Sequence, residues 1–82
     1  MAEPSPLAAM IQTLARGLVD NPDEVEVKEE REGGSRVISL YVAEQDLGQV
    51  IGRGGRIARA LRTVLRAAST ARGERATLEI VD

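Results

Sequence analysis

The sequence of 82 residues contains no histidine and no cysteine, and Tyr41 is its only aromatic residue. Without histidine, the chain has no imidazole base or metal ligand, and its serines lack a histidine to activate them. Without cysteine, it has no disulfide, no thiolate metal site and no thiol nucleophile. Its paired carboxylates lie in an acidic segment with no apolar pocket to raise their pKa values. We therefore predict that the protein is not an enzyme and uses neither a metal nor another cofactor.

Long apolar runs are also missing. No stretch of about 18 apolar residues exists, so we expect no membrane span. The segment 1–4 has no basic region followed by a long apolar run, so a signal peptide is not expected and the predicted location is cytoplasmic. The hydrophobic content of 43% is enough for one small core. We expect a single domain over 1–82, in which 1–5 form a flexible N-terminus.

Charge is distributed unevenly along the chain. Ten of the 13 acids and only four of the 11 bases lie in 1–47, whereas 48–73 contains six arginines and no acid. The net charge of −2 hides this asymmetry. An acid-free segment in an acid-rich chain can be an ordinary solvated helix face, but it favours an anionic ligand beside 52–66. The arginines are Arg53, Arg56, Arg59, Arg62, Arg66 and Arg72.

Two stretches have the apolar spacing of amphipathic helices. A first helix is predicted over 6–18, with Ser5 as its N-cap and Pro6 at its first position. A second long helix is predicted from the residue after Gly55 to about Ala71, with Gly73 near its C-terminal end. The first apolar stripe contains Leu7, Met10, Ile11, Leu14 and Leu18. The second contains Ile57, Ala60, Leu61, Val64, Leu65 and Ala68, and Arg59, Arg62 and Arg66 fall on a different face.

Three other segments have the alternation typical of strands. Strands are predicted over 24–31 and 35–43, joined by a hairpin turn at Gly33 and Gly34, and a last strand contains Ala76, Leu78 and Ile80. The second strand is apolar on both faces, which predicts an inner position. Residues 44–51 suit one or two helical turns. The predicted order is α-β-β-α-α-β, an α+β fold with a three-stranded sheet and its helices packed on one face.

The segment Gly52-Arg53-Gly54-Gly55 joins two predicted helices. Glycine permits positive φ and lets another backbone approach closely. The next helix contributes free N–H groups and the positive end of its dipole, and Arg53 and Arg56 add full charges. These features favour a phosphate, although a tight structural corner would also explain the glycines. The spacing matches neither the mononucleotide P-loop nor the dinucleotide-binding fingerprint.

The run Val50-Ile51-Gly52-Arg53-Gly54-Gly55-Arg56-Ile57 resembles the signature of KH domains. The predicted order resembles the type II arrangement of that fold. The resemblance is greater still to the bacterial KhpA family of stand-alone KH proteins, because the turn Asn21-Pro22-Asp23, the acidic first strand and the run Asp46–Ala58 also match. It covers essentially the whole chain. Arg53 stands where such loops often have lysine, which keeps the charge.

The resemblance implies that the chain binds single-stranded RNA and acts as an RNA chaperone or post-transcriptional regulator. KH loops clamp the backbone of about four nucleotides, and the bases lie in an apolar groove. The lack of aromatic residues fits an aliphatic groove. The site residues implied are Ile51, Gly52, Arg53, Gly54, Gly55, Arg56, Ile57 and Arg59. Ile57 is equally compatible with packing in the core and with lining the groove. For Val37 and Ile38 on the second strand, packing in the core is favoured.

The family resemblance also implies a homodimer, or a heterodimer with a larger KH-containing protein, and a link to cell shape through elongation and division. An alternative function is a protein–protein adaptor that keeps the KH fold but binds RNA weakly, with the arginines meeting an acidic partner. DNA binding is less favoured, because nothing in the chain resembles a helix that reads base edges in a groove.

Overall fold

The computed structural model describes residues 5–82 apart from the side chain of Arg53, and it confirms the predicted order of elements. Its helices are α1 (Pro6–Leu18), α2 (Glu44–Ile51) and α3 (Arg56–Ala71), and its strands are β1 (Glu26–Glu32), β2 (Ser35–Tyr41) and β3 (Arg75–Ile80). Single 3-10 turns lie at Pro22–Glu24 and Arg53–Gly55. The predicted flexible segment 1–5 falls outside the described residues except for Ser5, whose hydroxyl accepts a hydrogen bond from the Ala8 amide and caps α1.

Two strand boundaries differ from the sequence prediction. β1 was expected to begin at residue 24, but Glu24 belongs to the 3-10 turn that Pro22 begins. β2 was expected to reach residue 43, but it ends at Tyr41 because Ala43 is the N-cap of α2 and accepts hydrogen bonds from its first turn. In both places a helical turn with its own hydrogen bonds replaces strand pairing.

The sheet has the order β1-β2-β3, which confirms β2 as the inner strand. β1 and β2 form the antiparallel hairpin, whereas β2 and β3 are parallel, with Ser35 opposite Arg75 and Leu40 opposite Ile80. Parallel neighbours require a crossover connection. Here the crossover consists of α2, the glycine loop and α3, so the sheet fixes the start of α2 and the end of α3, and the loop lies between the two helices.

The hydrophobic core lies between the helices and one face of the sheet. Alternation along β2 buries Ile38 and Leu40 and leaves Val37, Ser39 and Tyr41 half-buried on the opposite face. The Nζ atom of Lys28 lies 5.2 Å from the centroid of the Tyr41 ring on that open face. The core cluster consists of Leu7, Ala8, Ile11, Ala15, Val25, Ile38, Leu40, Leu61, Leu65 and Leu78. Among residues 5–82, no helix is long and apolar enough to cross a lipid bilayer.

A network of ion pairs joins the hairpin to the end of α3. The guanidinium of half-buried Arg36 donates to the carboxylates of Glu29 and Glu74, the second at 3.1 Å. Gly73, at φ 68°, ends α3 with hydrogen bonds from its own amide and that of Glu74 back to the last turn, which places Glu74 beside Arg36. Burial raises the pKa of the Glu29 carboxyl, but hydrogen bonds from Arg36 and Ser5 outweigh it and hold the pKa below its ordinary value.

Candidate nucleic-acid interface

The three glycines of the loop are needed for two different reasons. Gly52 has an ordinary extended backbone, at φ −82° and ψ −176°, but a Cβ atom there would collide with the carbonyl oxygen of Gly48 in α2. Gly54 and Gly55 have left-handed backbones, at φ 72° and 67°, with no close neighbour at the Cβ position. Sterics therefore select glycine at the first position, and backbone conformation selects it at the other two.

The N-terminus of α3 is open at this loop. Its N-cap is Gly55, which has no side chain to accept a hydrogen bond from the first turn, and that turn contains no acidic residue. The amide groups of the first turn and the positive end of a helix of 16 residues therefore lack an anionic partner within the helix. The geometry suits an oxyanion.

The side chains predicted beside the loop divide into exposed and packed positions. Ile51 is 48% exposed, although Val50 before it is fully buried. Ile57 is half-buried and packs against the core cluster. Arg56 and Arg59 are exposed, and the Nη2 atom of Arg59 lies 3.7 Å from the Cβ position of residue 54, so this guanidinium lies beside the loop.

A groove lies between α3 and the edge strand β3. A cavity of about 230 Å³ in this groove has the apolar side chains of Leu65 and Leu78 in its lining. Val37 and Ile38 of the second strand, candidates for the groove for which core packing was favoured, do not line this cavity, and Val37 lies half-buried on the open face of the sheet, outside the core. Ile38 is fully buried in the core, as favoured from the sequence. The other residues of the cavity are Arg62, Arg66, Ala76 and Thr77.

The arginines of the groove extend the site beyond the residues predicted from the sequence. The predicted set ended at Arg59, but Arg62 and Arg66 line the cavity beside β3. The sequence does contain a pattern that groups these residues, because Arg59, Arg62 and Arg66 have the spacing i, i+3 and i+7 of one helix face. Only the position of β3 shows that this face borders a groove.

The short helix that carries the loop is anchored by a buried carboxylate. Asp46 in α2 is 1% exposed, and its two oxygens accept hydrogen bonds from the backbone amide and the side-chain amide of Asn21, at 3.0 and 3.2 Å. Asn21 belongs to the turn between α1 and β1. The contact therefore fixes α2, and with it the start of the loop, to the turn between α1 and β1. Sequence reasoning did not identify this role of Asp46.

Comparison with known proteins matches the chain to a family model over residues 8–80, described as "KhpA/KhpB, KH domain". A protein of Caldanaerobacter subterraneus named RNA-binding protein KhpA is 45% identical over 92% of this chain and 100% of its own length. Relatives of the same name from Treponema pallidum and Streptomyces coelicolor are 49% and 47% identical, over 89% and 93% of this chain and 91% and 95% of their own lengths.

The fold is also found in a solved structure of low sequence identity. A crystal structure of Aquifex aeolicus Era bound to GDP·AlF4⁻ matches with a TM-score of 0.65 at 20% identity. The match covers 98% of this chain and 32% of that one. At this identity the likeness concerns the fold alone, and it agrees with the α+β arrangement of type II KH domains.

Proposed function

Because the chain belongs to the KhpA/KhpB family of KH-domain proteins, we propose that it binds single-stranded RNA through the Gly52–Gly55 loop. The observation that carries the proposal is the pair of left-handed glycines at the uncapped N-terminus of α3, with Arg59 beside them. The family relationship supports RNA as the ligand, since the relatives are named RNA-binding proteins. Their names also agree with the prediction that the chain is not an enzyme.

The proposed mechanism separates phosphate contacts from base contacts. The phosphates lie against the loop and the first turn of α3, where the absence of side chains at Gly54 and Gly55 lets the RNA backbone approach the amides. Arg53, Arg56 and Arg59 supply the opposite charge. The bases enter the groove between α3 and β3, whose lining contains aliphatic side chains and no aromatic ring, unlike the aromatic platforms of other RNA-binding folds.

Such binding depends on salt. With about three phosphates engaged, each releasing roughly 0.7 of a counterion from a single strand, log affinity falls with log salt at a slope near −2. Few contacts read base edges in this mechanism, so we expect one domain to bind weakly and with little sequence preference.

The test replaces Arg53 and Gly54 with aspartate in one variant. Residue 54 has room for a side chain, and Asp tolerates a left-handed backbone better than most residues. Two carboxylates then lie where phosphates should bind. A substitution at Gly52 would be unsuitable, because its collision with α2 mixes folding with binding. We expect loss of binding to an oligonucleotide of about four nucleotides, with an unchanged circular dichroism spectrum.

The matched control is Arg16→Asp with Gly17→Asp. It makes the same change of charge on the exposed end of α1, and residue 17 has open space for a side chain. RNA binding should persist in this control. If the loop variant binds RNA as the control does, the loop assignment is wrong. If crosslinking in cells also recovers RNA only at background, the adaptor function is favoured, with α3 as the interface.

We further propose that the protein acts in pairs, as an RNA chaperone or post-transcriptional regulator in the cytoplasm. Pairing with a second copy or with a larger KH-containing protein would link two weak sites and raise the effective affinity. Exposed apolar side chains support such contacts, since Val64 on α3 and Leu18 at the end of α1 are 39% and 43% exposed. Sedimentation equilibrium of the wild type and of Val64→Asp tests self-association.

A further inference from the structure

A second cavity lies at the end of α3 that is remote from the glycine loop. Its volume is about 340 Å³, and it lies between the β1–β2 hairpin turn and the turn that joins α3 to β3. It takes no part in the site proposed above. The lining residues are Arg31, Gly34, Ser35, Arg36, Gly73, Glu74 and Arg75.

The cavity concentrates positive charge on three neighbouring strands. Arg31 of β1 lies directly opposite Arg36 of β2, and Arg75 of β3 lies opposite the adjacent Ser35, at the same end of the sheet but on its other face. Arg36 is neutralised by its ion pairs with Glu29 and Glu74, so the charge open to a bound anion comes from Arg31 and Arg75. Glu74, the acid in the lining, already pairs with Arg36. Within residues 5–82, Arg31 and Arg75 form no ion pair.

A row of arginines follows α3 from the loop toward its C-terminal end, where this cavity lies. Arg59 lies beside the loop, and Arg62 and Arg66 follow it on the same face of α3 along the groove. α3 has 16 residues and is therefore about 24 Å long. An RNA strand that covers this distance must be longer than the segment that the loop alone can hold. No acid occurs between residues 48 and 73 to interrupt the row.

We propose that the arginine cavity binds a backbone phosphate of the same RNA strand that the glycine loop clamps. The RNA then follows the groove along α3, and the footprint exceeds the four nucleotides of the loop. The inference rests on the proposed RNA binding at Gly52–Gly55. Arg31 and Arg75 are the residues that contact phosphate, and Arg36 holds the cavity in shape through Glu29 and Glu74.

The test compares RNA oligonucleotides of about four and about 12 nucleotides. The variant Arg31→Gln with Arg75→Gln removes two exposed charges and leaves Arg36 in place. We expect its affinity for the longer RNA to fall about tenfold and its salt slope to shrink by about 1.4, since two contacts at roughly 0.7 each are lost. Affinity for the shorter RNA should change less than about twofold.

The control is Arg16→Gln with Lys28→Gln, which removes two positive charges from α1 and from the open face of the sheet. If the cavity variant binds the longer RNA as this control does, or loses affinity for both lengths equally, the proposal is overturned. Selective loss for the longer RNA supports it. The loop variant Arg53→Asp with Gly54→Asp tests the loop separately, because it should weaken both lengths.

A titration of the wild type with inorganic phosphate, followed by amide NMR, distinguishes RNA from a free phosphate compound. Shifts at Gly34 and Gly73 that disappear in the cavity variant, together with selective loss of the longer RNA, support the proposal. The same shifts without any dependence of RNA affinity on the cavity would assign the site to a small phosphate compound and overturn the role in RNA binding.

Discussion

The carbonyl oxygen of Gly48 accepts the hydrogen bond of the Gly52 amide at 2.7 Å and occupies the space that a side chain at residue 52 would need. The last turn of α2 and the first glycine of the loop are thus in direct contact. The path of the loop depends on this contact, because the backbone passes close to the Gly48 carbonyl where it leaves α2.

This contact predicts opposite effects for two Gly→Ala substitutions. Gly48→Ala lies within α2 in open space, and we expect it to raise the free energy of unfolding by up to about 1 kcal/mol. Gly52→Ala forces the backbone apart and should lower it by roughly 1–3 kcal/mol. Urea denaturation measures both, and equal effects of the two variants would contradict the structure.

Val50 and Ile51 are adjacent in the chain, but their side chains have different environments. Val50 is fully buried, so Val50→Ala should lower the free energy of unfolding by about 2 kcal/mol. Ile51→Ser removes an exposed side chain and should change stability by less than about 0.5 kcal/mol, while it weakens RNA binding. Thermal unfolding and a binding titration on each variant separate the two roles. A large loss of stability in Ile51→Ser would place that side chain in the core.

The contribution of the buried Asp46 carboxylate to stability can be tested with a substitution that keeps the shape of the side chain. Both of its oxygens accept hydrogen bonds from Asn21, so in Asp46→Asn one N–H donor must face another. We expect a loss of about 1–3 kcal/mol in the free energy of unfolding. The control is Glu44→Gln, which removes a charge from the exposed part of the same helical turn. A variant of Asp46 as stable as this control would show that the contact contributes little.

Glu29 predicts a dependence of stability on pH. Arg36 and Ser5 hold the pKa of its carboxyl below its ordinary value of 4.5. The carboxylate therefore stabilises the fold above the pKa of the unfolded chain, and this contribution disappears as the pH falls through the lower pKa of the folded state. Glu29→Gln should be less stable than the wild type by about 1 kcal/mol at neutral pH, with the difference shrinking below about pH 4. Denaturation between pH 3 and 7, with the exposed Glu30→Gln as control, measures it.

The sequence predicted the features that depend on local spacing. The bounds of α1 and α3 follow from apolar periodicity and from Ser5 and Gly73 at their ends, and the inner position of β2 follows from its apolar faces. The glycine loop was found for the same reason, since its residues are contiguous.

What the sequence did not predict depends on residues far apart in the chain. The sequence offered Val37 and Ile38 of the second strand as groove candidates, although core packing was favoured for both. The strand that borders the groove beside α3 is β3, and its position depends on pairing between residues about 40 apart, such as Ser35 and Arg75. The bond between Asp46 and Asn21 spans 25 residues, and the pair of Arg36 and Glu74 spans 38. No periodicity marks such contacts.

The open face of the sheet adds a consequence for the kinetics of association. The strand positions that face away from the helices hold four acids, Glu26, Glu30, Glu32 and Glu79, and two bases, Lys28 and Arg75, whereas the arginines of α3 lie on the helical side. The open face of the sheet therefore has an excess of acids, whereas α3 contains arginines and no acid, although the net charge of the chain is only −2. A polyanion approaching within a Debye length, about 8 Å at physiological salt, is turned toward the helical side before contact. Added salt should therefore slow the association rate as well as weaken the complex.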